Sequence, residues 1–135
     1  LALSLHAPTD DIRELIMPIN KKFKIKDLIE QCKYYCSIVK EKITLEYVML
    51  REINDSIECA KKLVKIMSQF PCKVNLIEFN PWPGVQYLPT ERKNIEKFGK
   101  IIQDSGYIAT IRRSRGQDIL GACGQLRTES QKKYL

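Results

Sequence analysis

Cys123 stands in the run Gly121-Ala122-Cys123-Gly124-Gln125, shortly after Arg112, Arg113 and Arg115. Nearby cations lower the pKa of a thiol and favour the nucleophilic thiolate. Flanking glycines let a substrate approach the sulfur closely. A reactive thiol and an incidental loop cysteine are both open readings here. The other four cysteines, Cys32, Cys36, Cys59 and Cys72, fall within apolar elements. Cys32-x3-Cys36 has the spacing of a metal pair, but both residues lie on the apolar face of a helix with no third or fourth ligand nearby. A buried cysteine packs as a small hydrophobe, so these read as core and no metal ligand is expected in this chain.

His6 is the only histidine and follows the apolar run Leu1–Leu5. In parallel α/β sheets ligands bind at the carboxyl ends of the strands, where Ser4, Leu5 and His6 would lie. Asn80 is placed in the same way, after a strand and before Pro81-Trp82-Pro83-Gly84. Rigid prolines would hold its amide still, and an amide reads the edge of a purine or an amino acid. The alternatives are a polar strand end and an ordinary Asx turn.

The elements that must position these groups alternate. Residues 1–6 read as a strand stopped by Pro8, and a polar stretch with Pro18 follows. Ile25, Leu28, Ile29, Cys32, Cys36 and Val39 recur at spacings of three and four, one face of a helix. Ile43 to Leu50 is rich in β-formers and reads as a buried strand. Ser56 can cap a helix running to about Gln69, before Pro71. Cys72 to Ile77 is a third strand. Thr90 can cap a helix from Glu91 to Asp104, closed by Gly106, and Tyr107 to Ile111 is a fourth strand. Strands separated by helical crossovers imply a parallel sheet. The expected architecture is α/β, with four parallel strands alternating with three helices, an open sheet or part of a larger barrel. The opening run reads as a strand already under way, so the chain is expected to begin inside a fold.

With 135 residues the chain has the size of one domain, and its 44% apolar and 29% charged residues are a globular mix. No apolar run reaches the ~18 residues of a membrane span, and the first residues lack a basic secretory n-region. An odd count of five cysteines argues against a disulfide framework, so a reducing cytoplasm is expected. The net charge is +7, and residues 107–135 carry six basic residues against Asp118 and Glu129. That surplus points to an anionic partner, nucleic acid first among them, or to a solvated basic surface.

The strings LALSLHAP, MPINKK, EYVML, ND, NLIEFNPWPG, TIRRSRGQDI and ACGQL run in this order from Leu1 to Leu126. In these strings the chain resembles the C-terminal portion of the radical S-adenosylmethionine (SAM) adenine-C2 RNA methyltransferases. Glu78 departs from the family, which usually has proline there. The resemblance implies the C-terminal part of a partial (β/α) radical-SAM barrel over residues 1–126, followed by a basic tail over 127–135. It implies that Ser4, Leu5, His6 and Asn80 bind SAM and that Cys123 is the catalytic residue that carries a methyl group as S-methylcysteine. A [4Fe-4S] cluster would belong to the complete enzyme. Its CxxxCxxC ligands, the resolving cysteine and the proton-accepting glutamate are all expected upstream of this region. The substrates implied are 23S rRNA and tRNA, and the partner implied is the missing N-terminal half, without which the chain would be inactive. Lys21, Lys22, Arg112, Arg113 and Arg115 are the candidate RNA contacts. A non-catalytic basic α/β RNA-binding module or a degenerate remnant is the alternative.

Overall fold

The computed structural model describes residues 1–113. Cys123, Arg115 and the boundary at residue 126 lie outside the described residues. Four strands, β1 (Ala2–Ser4), β2 (Ile43–Met49), β3 (Cys72–Glu78) and β4 (Ala109–Arg113), form one parallel sheet in chain order. The helices are α1 (Asp10–Ile16), α2 (Ile25–Val39), α3 (Ile57–Met67) and α4 (Arg92–Asp104), with a 3-10 turn at Pro18–Lys21.

Sequential strand order with crossovers of one hand puts the connecting helices on a single face of the sheet. The main core bears this out. Leu5, Ile43, Leu45, Tyr47, Met49, Val74, Leu76 and Ala109 of the strand segments pack with Ile29, Cys32 and Cys36 of α2, Leu63 and Ile66 of α3, and Ile95, Phe98 and Ile102 of α4. The Tyr47 and Phe98 rings meet at 5.2 Å, and the Tyr47 hydroxyl donates to the Asn54 carbonyl at 2.5 Å. A second apolar cluster, of Ala7, Ile16, Val48, Leu50 and Phe79, gathers at the carboxyl ends of the strands.

The expected alternation holds, with three differences. First, the sheet is served by four α-helices, because the polar stretch after Pro8 contains α1. Only Arg13 and Ile16 of α1 are buried, so it carries no apolar periodicity to read; its inward anchor is an arginine. Second, Thr90 is not the cap of α4. Its hydroxyl bonds Asp55 Oδ2 at 2.7 Å, and Glu91 takes the N-cap position. Third, β1 ends at Ser4, two residues short of His6. Ser56 does cap α3, accepting from the Cys59 N–H at 3.0 Å. Gly106 adopts φ +93°, the left-handed geometry that ends α4 cheaply only with glycine. No helix among the described residues is long and apolar enough to cross a membrane.

Candidate functional site

The carboxyl end of β1 is held by the backbone of β2 and by side chains from two other segments. The Leu5 and His6 N–H groups both donate to the Glu46 carbonyl, at 3.0 and 3.2 Å. Parallel pairing advances two residues per rung, so the Val48 N–H should next meet the Leu5 carbonyl. It meets His6 Nδ1 instead, at 3.0 Å. The Leu5 carbonyl is taken by Arg13 Nε at 2.9 Å, and Arg13 Nη2 reaches the Ser4 carbonyl at 2.9 Å. Asn54 completes the clamp. Its Nδ2 donates to the His6 carbonyl at 2.8 Å and the Val48 carbonyl at 2.7 Å, while its Oδ1 accepts from the Leu50 N–H at 2.8 Å. His6 itself is fully buried at φ 60°, a backbone state that a non-glycine residue keeps only when its surroundings over-determine it.

Burial, aided by the positive charge of Arg13, pushes the His6 pKa from 6.5 down to about 3. The imidazole is therefore neutral near pH 7. With Nδ1 accepting from Val48, the proton sits on Nε2. That N–H is buried and has no hydrogen-bond partner among the described residues. The guanidinium that steadies this end is itself secured. Arg13 Nη1 donates to Asn20 Oδ1 at 3.0 Å, Asn20 Nδ2 donates to Asp10 Oδ1 at 2.9 Å, and Asp10 Oδ1 also accepts the Ile25 N–H at 2.9 Å. These bonds, led by that from Ile25, hold the Asp10 carboxyl below its usual pKa.

Ser4 is half-buried at the end of β1, and Asn80 is exposed just past β3. They lie toward the carboxyl ends of β1 and β3, two strands apart, with Asn80 five residues beyond Asn75, which stands in register with Ser4 through Glu46. The Leu5 side chain is in the helix-side core, so what Leu5 offers this edge is backbone. Lys21 and Lys22 are exposed between α1 and α2. Arg112 and Arg113 stand at the end of β4 and face carboxylates. Arg112 Nη2 lies 3.6 Å from Glu46 Oε2, and Arg113 Nε lies 4.0 Å from Glu78 Oε2. Glu78, the family departure, also pairs with Arg92 of α4. Among the described residues no three His, Cys, Asp or Glu converge as metal ligands. Cys32, Cys36, Cys59 and Cys72 are all buried. Burial raises the Cys32 pKa and pushes that of Cys72 up to about 12.

Sequence reasoning missed Arg13, Asn20 and Asn54, which are among the buried polar residues that shape this edge. Arg13 and Asn20 sit in the polar stretch and in MPINKK, and Asn54 in the turn Asn54-Asp55-Ser56. Types that form turns and solvated faces gave no sign of burial there.

No family model matches the chain. It is 52% identical over 133 residues to the dual-specificity RNA methyltransferase RlmN of Rhizobium leguminosarum bv. trifolii, covering 98% of this chain and 33% of that protein. It is 53% identical over 133 residues to the protein of the same description from Mesorhizobium japonicum, covering 98% and 32%. The chain thus spans about a third of the length of the curated relatives it matches. A radical SAM methyltransferase from Sphaerobacter thermophilus superposes with a TM-score of 0.84 at 40% identity, over 93% of this chain and 37% of that one. A domain of a pyruvate-formate lyase-activating enzyme from Bacteroides vulgatus shares the fold alone, with a TM-score of 0.65 at 12% identity, over 83% and 66%. The resemblance read from the motif strings holds in both sequence and fold.

Proposed function

We propose that this chain, which shares about half its residues with the dual-specificity RNA methyltransferases along 98% of its length, is the C-terminal segment of such an enzyme. It would act in the cytoplasm to methylate C2 of adenosine in 23S rRNA and tRNA, together with the segment that supplies the [4Fe-4S] cluster. The observation that carries the reading is the clamped strand end at Ser4, Leu5 and His6. It lies where cofactors bind in parallel sheets, and it buries an N–H donor that has no hydrogen-bond partner among the described residues. An unmet buried donor costs ~1–3 kcal/mol, a cost that an acceptor on a bound SAM would remove. The residues therefore fit that cofactor: Ser4 and His6 offer polar side chains, Leu5 the fixed backbone between them, and Asn80 an amide from beyond the carboxyl end of β3. The described residues offer no ligands for the cluster, and no step is assigned through it in this chain.

SAM, when bound, supplies the methyl group. On the chain's side, the Arg13 and Asn54 clamps fix the cofactor's floor, and the neutral His6 Nε2–H donates without taking up a proton. The Cys123 thiolate would take the methyl from the sulfonium of a bound SAM to become S-methylcysteine, with S-adenosylhomocysteine as the leaving group. Lys21, Lys22, Arg112, Arg113 and Arg115 meet RNA phosphates.

Co-expression with the cluster-bearing segment, followed by mass spectrometry of rRNA and tRNA, tests the reading. 2-Methyladenosine should appear. Cys123→Ala should abolish it, whereas Cys32→Ala should cost only stability. The peptide holding Cys123 should carry an added methyl. RNA binding without methylation in the assembled enzyme would refute the assignment and leave a basic RNA-binding module.

A further inference from the structure

Residues two apart on a strand share a face, and paired residues on neighbouring strands share it too. The helix side of this sheet is mainly apolar, with Glu78 and Arg113 as its charged residues at the carboxyl ends of β3 and β4. On the opposite side the register aligns Ser4 with Glu46, Glu46 with Asn75, and Asn75 with Thr110. The shared face is confirmed by two contacts: Thr110 Oγ1 bonds Asn75 Oδ1, and Arg112, two residues beyond Thr110, pairs with Glu46. Every strand thus contributes a polar side chain to one row. Parallel sheets are ordinarily covered on both faces and read as apolar runs, and barrel interiors are filled by branched aliphatic residues. A polar row across four strands departs from that pattern and calls for something polar above it.

Glu46 is the member of the row with an unmet requirement. Three buried side-chain atoms lack a hydrogen-bond partner among the described residues: His6 Nε2, Thr9 Oγ1 and Glu46 Oε2. Only Glu46 bears a carboxylate, and a charged group left unbonded is the costliest of the three. Its side chain is 14% exposed. Arg112 Nη2, 3.6 Å away, balances the charge but lies beyond hydrogen-bond length. With the charge balanced, what is missing is a neutral donor rather than a second cation. The Glu46 carbonyl already binds the Leu5 and His6 N–H groups, so this carboxylate is fixed to the proposed cofactor floor.

We propose that Glu46 is a cofactor-binding residue whose Oε2 accepts a hydrogen bond from a ribose hydroxyl of the SAM seated at Ser4 to His6. The inference rests on the SAM reading above and adds to it a ribose-discriminating residue on β2.

The test is a nuclear magnetic resonance titration of the isotope-labelled chain, assembled with the cluster-bearing segment, with S-adenosylhomocysteine and its 2′-deoxy and 3′-deoxy counterparts. Wild type should lose about tenfold in affinity on losing one of the hydroxyls, the worth of one charge-assisted bond. Glu46→Leu should bind the parent ligand about as weakly and no longer distinguish it from that deoxy form. The wild-type Glu46 carboxylate carbon should shift with the parent ligand and not with that counterpart, a readout that stands even if the variant does not fold. Wild type that does not discriminate, or a folded Glu46→Leu that discriminates as wild type does, overturns the inference and leaves the SAM reading intact. Wild type that binds none of the three ligands overturns both.

Discussion

Replacing His6 with Asn tests whether the imidazole is held neutral by the fold. Asn tolerates φ 60° better than other non-glycine residues, and its side-chain oxygen can take over the Val48 N–H. In the folded chain the His6 pKa is about 3, against 6.5 for the exposed side chain. The group is thus depressed by folding, and between these values the unfolded chain binds a proton that the folded chain refuses. Stability from this source is complete well above pH 6.5 and is lost as pH falls toward 3. Between pH 7 and pH 5 the loss works out at about 2 kcal/mol. Asp10, whose pKa is also depressed, gives up its contribution only below its ordinary value of 3.8, outside this window. Urea unfolding at both pH values, followed by circular dichroism, measures the loss. His6→Asn should be less stable at pH 7 by ~1–3 kcal/mol for the lost ring, and its further loss on acidification should be smaller than that of wild type by about 2 kcal/mol. If both proteins weaken equally between pH 7 and pH 5, the buried neutral imidazole is refuted.

Arg13→Met removes the donors to the Ser4 and Leu5 carbonyls and to Asn20. It should cost about 3 kcal/mol and lower Tm by on the order of 10 °C in a thermal melt, while Arg13→Lys, which cannot span all three acceptors, should recover less than half. Thiol labelling under native conditions should leave Cys32, Cys36, Cys59 and Cys72 unmodified, since all are buried and the Cys72 pKa is pushed up to about 12; labelling of Cys72 before unfolding would contradict that burial. RNA binding should weaken with salt, and replacing Arg112, Arg113 and Arg115 together with Ala should flatten the log–log slope by ~1–2 in a filter-binding assay. An unchanged slope would make the patch a solvated surface. The flattening is expected to fall short of three full contacts because Glu46 and Glu78 already face two of these arginines.

The alternation of elements was legible in the residues because it rests on local properties. Ile25, Ile29, Cys32 and Cys36 mark one face of α2, β-formers mark Ile43–Met49, and Ser56 and Gly106 mark helix ends through their own side chain or lack of one. The strand ends that carry Ser4, His6 and Asn80 followed from that alternation. Tertiary structure decided what those residues can do. β1 is three residues long, too short for its own pattern to fix its register; β2 fixes it, and with it the row that joins Ser4 to Glu46, Asn75 and Thr110. Nothing about Arg13, Asn20 or Asn54 as residue types distinguishes a solvated turn from a buried clamp. Their burial is favourable only because backbone groups 4 to 48 positions away in the chain accept or donate the hydrogen bonds that water would otherwise provide. A polar side chain's place in a fold is set by partners distant in the sequence, whereas an apolar side chain's place follows from its spacing.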